Sequence, residues 1–76
     1  MAEHKRRKDV IDRLSRIEGH VRGIKRMALE GKDCEDLLLQ ISAVKAALDK
    51  VGKLILEDHL DSCIVEAIGE GAGAEA

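Results

Sequence analysis

Three side chains with metal-binding chemistry stand out in this sequence of 76 residues: Cys34, His59 and Cys63. The two cysteines are the only ones in the chain, and His59 stands four residues before Cys63. Two thiolates and one imidazole form a soft ligand set that suits Cu(I) or another late transition metal. Zn(II) would seek a fourth ligand, and Ni(II) would prefer more nitrogen ligands. The pattern therefore predicts a metal site with Cu(I) as the favoured ion.

The same residues have a structural interpretation that needs no metal. A single cysteine in a seam between helices usually acts as a small buried hydrophobe, and a His-x-x-x-Cys pair alone is a weak signal. Two further histidines are weaker candidates. His4 lies in a basic N-terminal segment and is a candidate fourth ligand, whereas His20 is expected to face solvent or DNA.

The elements that must position these residues are helical. Apolar residues recur at steps of three and four, which predicts an amphipathic helix over about residues 5–29. Gly31 is placed to end this helix, and Asp33 is placed to cap a second one. After the second helix the apolar rhythm can break, and Asp61 or Ser62 would then cap a short third helix. The stripes comprise Val10, Leu14, Ile17, Val21, Ile24 and Ala28 in the first helix and Leu37, Leu38, Ile41, Val44, Leu48, Val51 and Ile55 in the second.

Helix geometry separates the ligands within one chain. If the second helix is continuous from Cys34 to His59, the two residues lie about 37 Å apart along its axis. One ion cannot bridge that distance, whereas His59 and Cys63 lie only one turn apart. If all three residues bind one metal, Cys34 must come from a neighbouring subunit. An antiparallel dimer would supply it and would create two equivalent sites.

Composition also favours an oligomer. The chain has no Phe, Tyr or Trp, although 45% of its residues are hydrophobic. A domain of this length buries only about 60% of the surface of its unfolded chain. A lone helical hairpin would leave much of its apolar seam in water, so we predict an obligate oligomer. One domain is expected over residues 1–68, followed by a flexible Gly/Ala/Glu tail over 69–76.

Charge is divided unevenly along the chain, whose formal net charge is −2. Residues 1–26 contain nine Lys or Arg against four Asp or Glu, a net charge of +5, and the remainder contains four against eleven, a net charge of −7. Arg6, Arg13 and Arg16 fall along one edge of the first helix. Such a surface can bind a polyanion such as DNA, although a charge run is ordinarily only a solvated face.

Several classes of protein do not fit the sequence. No apolar run is long enough to span a membrane, and no apolar segment follows the basic N-terminus as it would in a secretory signal. Two cysteines without an export signal predict reduced thiols in the cytoplasm. No nucleophile–base pair or phosphate-binding loop is visible, so an enzyme is not expected. A helical interaction or copper-storage protein without a DNA role is left open.

Four segments of the chain resemble the copper-sensitive operon repressor (CsoR) family. They are Arg13–Ile24 (RLSRIEGHVRGI), Gly31–Cys34 (GKDC), Gln40–Val44 (QISAV) and His59–Cys63 (HLDSC). The likeness extends over about residues 5–68. It implies a small all-α bacterial repressor made of helical hairpins, whose antiparallel four-helix-bundle dimers assemble to a tetramer. Such a protein binds operator DNA when metal-free and releases it when its effector binds.

The resemblance also assigns roles to residues. In copper members of the family, Cys, His and Cys at the positions of Cys34, His59 and Cys63 bind Cu(I) between two protomers. It carries DNA contact over to Arg13 and, by position, to Lys50. Charge adds two neighbouring residues, Arg16 and Arg22, to this DNA-binding set.

Other branches of the family set out the alternatives. Nickel and cobalt members have His where Cys63 stands, so Cys63 argues against them. One nickel branch, however, keeps the Cys and takes an additional His ligand from the N-terminal segment. His4 lies about two residues from the position expected for that ligand. Persulfide-sensing members keep both cysteines but lack the His, so His59 argues against them. A thiol sensor that joins Cys34 to Cys63 of another protomer is kept as the second alternative. Many copper members also place a Tyr just before the first Cys and a Glu well after the last. Here Asp33 stands at the first position and the printed sequence stops before the second, which leaves the route of allosteric coupling open.

Overall fold

The computed structural model describes the backbone of residues 5–70 and the side chains of residues 5–61. Two α-helices make up this part of the chain, α1 over Arg7–Leu29 and α2 over Cys34–Glu70. The described residues include no strand, and the prediction of an all-α fold is confirmed. The helices pack side by side in opposite directions, because Arg6 meets Asp61 while His20 meets Gln40.

A tight turn at Gly31 reverses the chain. Gly31 has a φ of +75°, a left-handed conformation that glycine adopts without the steric cost of a Cβ atom. Its N–H donates to the carbonyl of Ala28 at 3.1 Å, and the N–H of Lys32 donates to the carbonyl of Met27 at 3.0 Å. These bonds satisfy carbonyl groups that the end of α1 would leave unpaired. The predicted role of Gly31 as the helix-ending residue is confirmed.

The seam between the helices repeats every seven residues. Val10, Ile17 and Ile24 of α1 are buried against Val44 and Val51 of α2. Leu37, Ala47 and Leu54 are partly buried around them. Every second member of each predicted apolar stripe therefore lies in the seam of the hairpin. The alternate members are left largely outside it.

A second apolar surface thus remains uncovered within one chain. Leu14 and Val21 of α1 are 41% and 49% exposed, and Ile41, Leu48 and Ile55 of α2 are 42–46% exposed. These two rows lie beside the buried ones, each at its own seven-residue spacing. Burial of such rows is the main source of stability in helical assemblies. Each helix of the hairpin therefore has one buried and one largely exposed apolar row.

The prediction of a short third helix is wrong. α2 continues without interruption from Cys34 to Glu70, through the Asp58–Ser62 stretch where we expected a break. Aspartate often ends a helix because its carboxylate competes for nearby backbone groups. The carboxylate of Asp58 instead faces α1, where Arg6 binds it, so it does not compete within α2.

The ends of the chain limit two other predictions. α2 extends two residues into the tail that was predicted over 69–76. Residues 71–76 and the segment that contains His4 lie outside the described residues. The division into a domain over 1–68 and a flexible tail stays a prediction. Neither described helix combines the length and the apolar character that a membrane crossing requires.

Candidate metal centre and nucleic-acid surface

The three predicted metal ligands lie on α2 and share one side of it. Cys34 is the first residue of α2, and its thiol is free and exposed. His59, also exposed, follows about seven turns later. Position 63 lies one further turn along the same helical backbone, although the side chain of Cys63 is outside the described residues. At 3.6 residues per turn, positions 59 and 63 each lie within about 20° of the direction of Cys34, and they differ from each other by about 40°.

Within one chain this arrangement keeps the ligands apart. Because α2 is unbroken, Cys34 and His59 are separated by about 37 Å along the helix axis. Among the side chains of residues 5–61, no three His, Cys, Asp or Glu groups lie together as metal ligands would. The continuity of α2, on which the prediction of a site shared between subunits depends, is therefore observed.

The exposed apolar row of α2 lies on the same side as the predicted ligands. Ile41, Leu48 and Ile55 follow Cys34 at successive steps of seven residues. Gly52 lies five full turns after Cys34 on this side, and a Cβ atom there would meet no other atom within 4 Å. Packing between α1 and α2 therefore does not require glycine at position 52. The predicted ligands mark the two ends of an apolar surface that α1 leaves exposed.

The segment around His59 is tied to the start of α1 by Arg6. The backbone N–H of Arg6 donates to Oδ1 of Asp58 at 3.4 Å, and its guanidinium Nη1 lies 3.6 Å from the same oxygen. Nη1 also donates to Oδ2 of Asp61 at 2.8 Å, and Nε lies 3.9 Å from Glu57. The hydrogen bond to Asp61 is the main cause that raises the pKa of Arg6 above its ordinary value.

Asp58 is the buried member of this cluster, with 3% of its surface exposed. Its carboxylate lies at the N-terminus of α1, where unpaired N–H groups and the helix dipole favour a negative charge. A residue of α2 therefore binds Arg6, the N-cap residue of α1. The sequence placed Arg6 on a basic edge of α1 but did not reveal this contact, because Asp58 and Asp61 lie 52 and 55 residues after Arg6. The only signal in the sequence was the run of acids around His59.

Two of the predicted DNA-binding residues line one groove between the helices. Arg13, Arg16, Ile17 and His20 of α1 form it with Ala47 of α2, and it encloses about 210 Å³. Arg13 is half-buried and is held by Asp9, with Nε 3.0 Å from Oδ1. Arg16 is exposed and has no ion-pair partner among the side chains of residues 5–61. The groove therefore presents two guanidinium groups on one side of the hairpin.

His20 has a more defined position than the sequence predicted. It is half-buried, and its Nε2 is hydrogen-bonded to Oε1 of Gln40 at 2.6 Å. This bond links the middle of α1 to the first part of α2. One nitrogen of the ring is therefore occupied, which fixes the imidazole in the wall of the groove.

The other two predicted DNA-binding residues lie in different places. Lys50 is exposed and stands three residues after Ala47 on α2, which puts it on the Arg13 side of the hairpin. Arg22 stands nine residues after Arg13, which places it on the opposite side of α1 at about 100° per residue. It pairs with Glu18 at 3.3 Å. The structure thus brings Arg13 and Arg16 together and separates Arg22 from them.

Comparison with known proteins identifies the family. The chain matches the metal-sensitive transcriptional repressor family over residues 6–76. It is 46% identical over 72 residues to the copper-sensing transcriptional repressor CsoR of Bacillus subtilis (strain 168), covering 95% of this chain and 71% of that protein. It is 52% identical over 59 residues to the copper-sensing transcriptional repressor RicR of Mycobacterium tuberculosis (strain H37Rv), covering 78% of this chain and 62% of that protein.

Solved structures have the same fold. A Cu(I)-containing crystal structure of the copper-sensing repressor CsoR from Geobacillus thermodenitrificans NG80-2 matches with a TM-score of 0.82 and 43% identity, covering 97% of this chain and 78% of that one. The copper-sensing operon regulator protein CsoRGz is 64% identical with a TM-score of 0.69, covering 74% and 93%. The nickel-responsive transcriptional regulator InrS matches with a TM-score of 0.81 and 45% identity, covering 93% and 80%.

An unbroken two-helix hairpin with candidate ligands at both ends of one helix face is consistent with a metal-sensing regulator. The chain belongs to the metal-sensitive transcriptional repressor family. The resemblance drawn from the sequence is thereby confirmed, and so is the prediction of a regulator in place of an enzyme, because the family is one of transcriptional repressors.

Proposed function

We propose that this protein is a copper(I)-responsive transcriptional repressor of the cytoplasm, which binds operator DNA when metal-free and releases it when Cu(I) binds. One observation carries the proposal: Cys34, His59 and position 63 share one side of an unbroken helix whose ends lie too far apart to meet within one chain. The sensor is then a dimer of hairpins, or a tetramer built from such dimers, with each metal site between two subunits.

The ligand set fits copper. Two thiolates and one imidazole satisfy the preference of Cu(I) for soft donors in a low coordination number. Cu(I) bound there would supply only a cross-link between subunits, since the chain uses it as a signal and not as a catalyst. The curated relatives described above are named copper-sensing repressors. The TM-scores of the copper-sensing CsoR and of the nickel-responsive InrS differ by only 0.01, so the choice of metal rests on the ligand set and on those relatives.

Antiparallel pairing of two α2 helices would complete the site. If Cys34 of one subunit lies beside position 61 of its partner, between the two other ligands, the two-fold axis passes near Leu48. The row of Ile41, Leu48 and Ile55 would then be buried along the interface. The same apolar surface that destabilises a lone hairpin in water therefore supports the arrangement that the metal requires.

The groove near Arg13 is the proposed DNA surface. Arg13, Arg16 and Lys50 lie on one side of the hairpin, where they can bind the phosphates of a duplex. Asp9 holds Arg13 in place, and Arg16 is exposed for contact. Arg22 was added from charge, and its place on the other side of α1 gives it no part in this groove.

Release of DNA follows from linkage. If Cu(I) binds more tightly to a form of the protein that holds DNA weakly, copper must lower the affinity for DNA by the same factor that DNA lowers the affinity for copper. Couplings of this kind typically change affinity by about 5- to 150-fold. The proposed metal ligands lie on α2, and the proposed DNA surface is formed by α1 and α2. The two sites are therefore physically connected, as coupling between them requires.

An anaerobic Cu(I) titration of the reduced protein against a competing chelator tests the site. Absorption from thiolate to copper can be followed in the near ultraviolet, because the chain has no Trp or Tyr. We expect saturation at one Cu(I) per protomer and its loss in His59→Ala. His20→Ala is the matched control, since it removes an imidazole from the same chain and should leave the stoichiometry unchanged. Tight Ni(II) binding with weak Cu(I) binding would contradict the proposal in favour of a nickel sensor.

A further inference from the structure

The contact between Arg6 and the acids around His59 links the two proposed sites of the protein. Asp58 is the residue directly before His59, and Asp61 lies between His59 and Cys63 in the sequence. Arg6 binds both carboxylates and directly precedes α1. Arg13 lies seven residues further along α1, on nearly the same side of the helix. The proposed metal segment and the proposed DNA surface thus meet through one side chain.

The geometry gives this contact a fixed form. Both the backbone N–H and the guanidinium of Arg6 reach Oδ1 of Asp58, while Nη1 reaches Asp61 at 2.8 Å. The carbonyl of Arg6 accepts a hydrogen bond from the N–H of Val10 at 2.9 Å, so Arg6 is also part of the first turn of α1. A planar guanidinium that binds two carboxylates is directional in a way that a lysine ammonium is not.

Other ion pairs between side chains of residues 5–61 differ from those of Arg6. Lys8 with Asp12, Arg22 with Glu18 and Lys53 with Asp49 each join residues four apart on one helix. Such exposed pairs connect neighbouring turns of a single helix and do not join α1 to α2, and they contribute little to stability. The ion pairs of Arg6, by contrast, join the start of α1 to the second half of α2.

We propose that Arg6 and Asp58 are positioning residues that couple metal occupancy at His59 to the DNA surface at Arg13. This inference rests on the proposed function. Ligation would hold His59 towards the partner subunit, and the adjacent Asp58 would move with the same stretch of helix. Because Arg6 binds Asp58 through both its backbone and its side chain, a shift of that stretch is carried to the first turn of α1. The contact thereby supplies a coupling route that does not need a Tyr at position 33.

The test measures coupling and not binding alone. The Kd of an operator duplex, isolated by selection of genomic DNA with the metal-free wild-type protein, is determined without metal and with one Cu(I) per protomer. The ratio of the two values is the coupling factor. In Arg6→Gln we expect this factor to fall by about 2- to 30-fold, the range that substitutions along a coupling route produce. Arg6→Lys should fall between Arg6→Gln and the wild type.

Lys8→Gln is the matched control, because it removes one positive charge from the same helix without touching α2. It should weaken DNA binding equally with and without Cu(I) and leave the coupling factor within about twofold of the wild type. Asp61→Asn provides a second variant in case Arg6→Gln does not fold, since it removes the 2.8 Å bond at an exposed position and leaves buried Asp58 in place. It should lower the coupling factor in the same direction. Faster amide exchange in the first turn of the metal-free Arg6→Gln protein gives an independent readout.

Two outcomes separate the failure of this inference from the failure of the proposed function. If the wild-type protein binds DNA equally with and without Cu(I), the proposed function is wrong and the inference falls with it. If the wild-type protein releases DNA and Arg6→Gln or Asp61→Asn releases it by the same factor, the inference alone is overturned. A loss of thermal stability with an unchanged coupling factor would likewise reduce Arg6 to a structural contact.

Discussion

Mixing two inactive variants should restore copper binding, because each proposed site takes its ligands from two subunits. In Cys34→Ala both sites of the dimer lack one thiolate, and in His59→Ala both lack the imidazole. A mixed dimer is different. One of its sites lacks both the Cys34 thiolate and the His59 imidazole. The other site combines Cys34 from one chain with His59 and Cys63 from its partner and is complete.

The expected amount follows from the geometry. The axial separation of about 37 Å between Cys34 and His59 rules out a complete site within either chain. Random exchange of equal amounts of the two variants makes about half of the dimers mixed, each with one complete site. Titration should therefore give about one tightly bound Cu(I) per four protomers, against none in either variant alone.

The assay is the anaerobic chelator competition, applied after coexpression or after exchange of subunits under mild denaturant. A mixture of His59→Ala with Cys63→Ala is the matched negative control, because both residues come from the same subunit and no mixed dimer can then hold a complete site. Absence of recovery in the first mixture, or recovery in the control mixture, would refute the reasoning that places one site between two antiparallel helices.

Further predictions concern the DNA surface, the core and the effector. Arg13→Ala should weaken operator binding and make the negative slope of log K against log salt shallower by about 0.9, with the Cu(I) stoichiometry unchanged. Arg22→Ala should leave that slope nearly as it is, and a larger effect at Arg22 than at Arg13 would contradict the assigned groove. Val51→Ala should lower the free energy of unfolding by about 2 kcal/mol, since it removes two buried methyl groups and leaves a cavity at a 3% exposed position. Leu29→Ala, at a 79% exposed position, should change it by less than about 0.5 kcal/mol. Thermal or denaturant unfolding at equal protomer concentration distinguishes the two variants. His59→Ala should abolish release of DNA by Cu(I), and release that persists would indicate a thiol sensor that needs only the cysteines.

The local features of the fold were predictable from sequence. The apolar steps from Val10 to Ile24 predicted α1 nearly to its observed ends, and Gly31 marked the turn because few other residues adopt a positive φ there. The same steps could not distinguish which apolar row packs within the hairpin and which remains exposed. Both rows have the same period, and only tertiary contact separates them.

The errors of prediction come from contacts that are distant in sequence. The apolar rhythm is interrupted between Asp58 and Ser62, and Asp61 or Ser62 can cap a helix, so the sequence predicted a short third helix after a break there. Arg6 binds the Asp58 carboxylate from a position 52 residues away, and α2 therefore continues. The candidate ligands needed no such contact, since residue type and helical periodicity together indicated Cys34 and His59. The link between them and α1 could not be deduced from any local pattern.

Release of operator DNA by Cu(I) tests the central claim most directly. A labelled duplex bound by the metal-free protein can be titrated anaerobically with Cu(I) while its fluorescence anisotropy is followed. We expect dissociation that is complete near one Cu(I) per protomer, is reversed by a Cu(I) chelator and is absent in His59→Ala. A complex that persists at saturating Cu(I), with copper demonstrably bound to the protein, would contradict it.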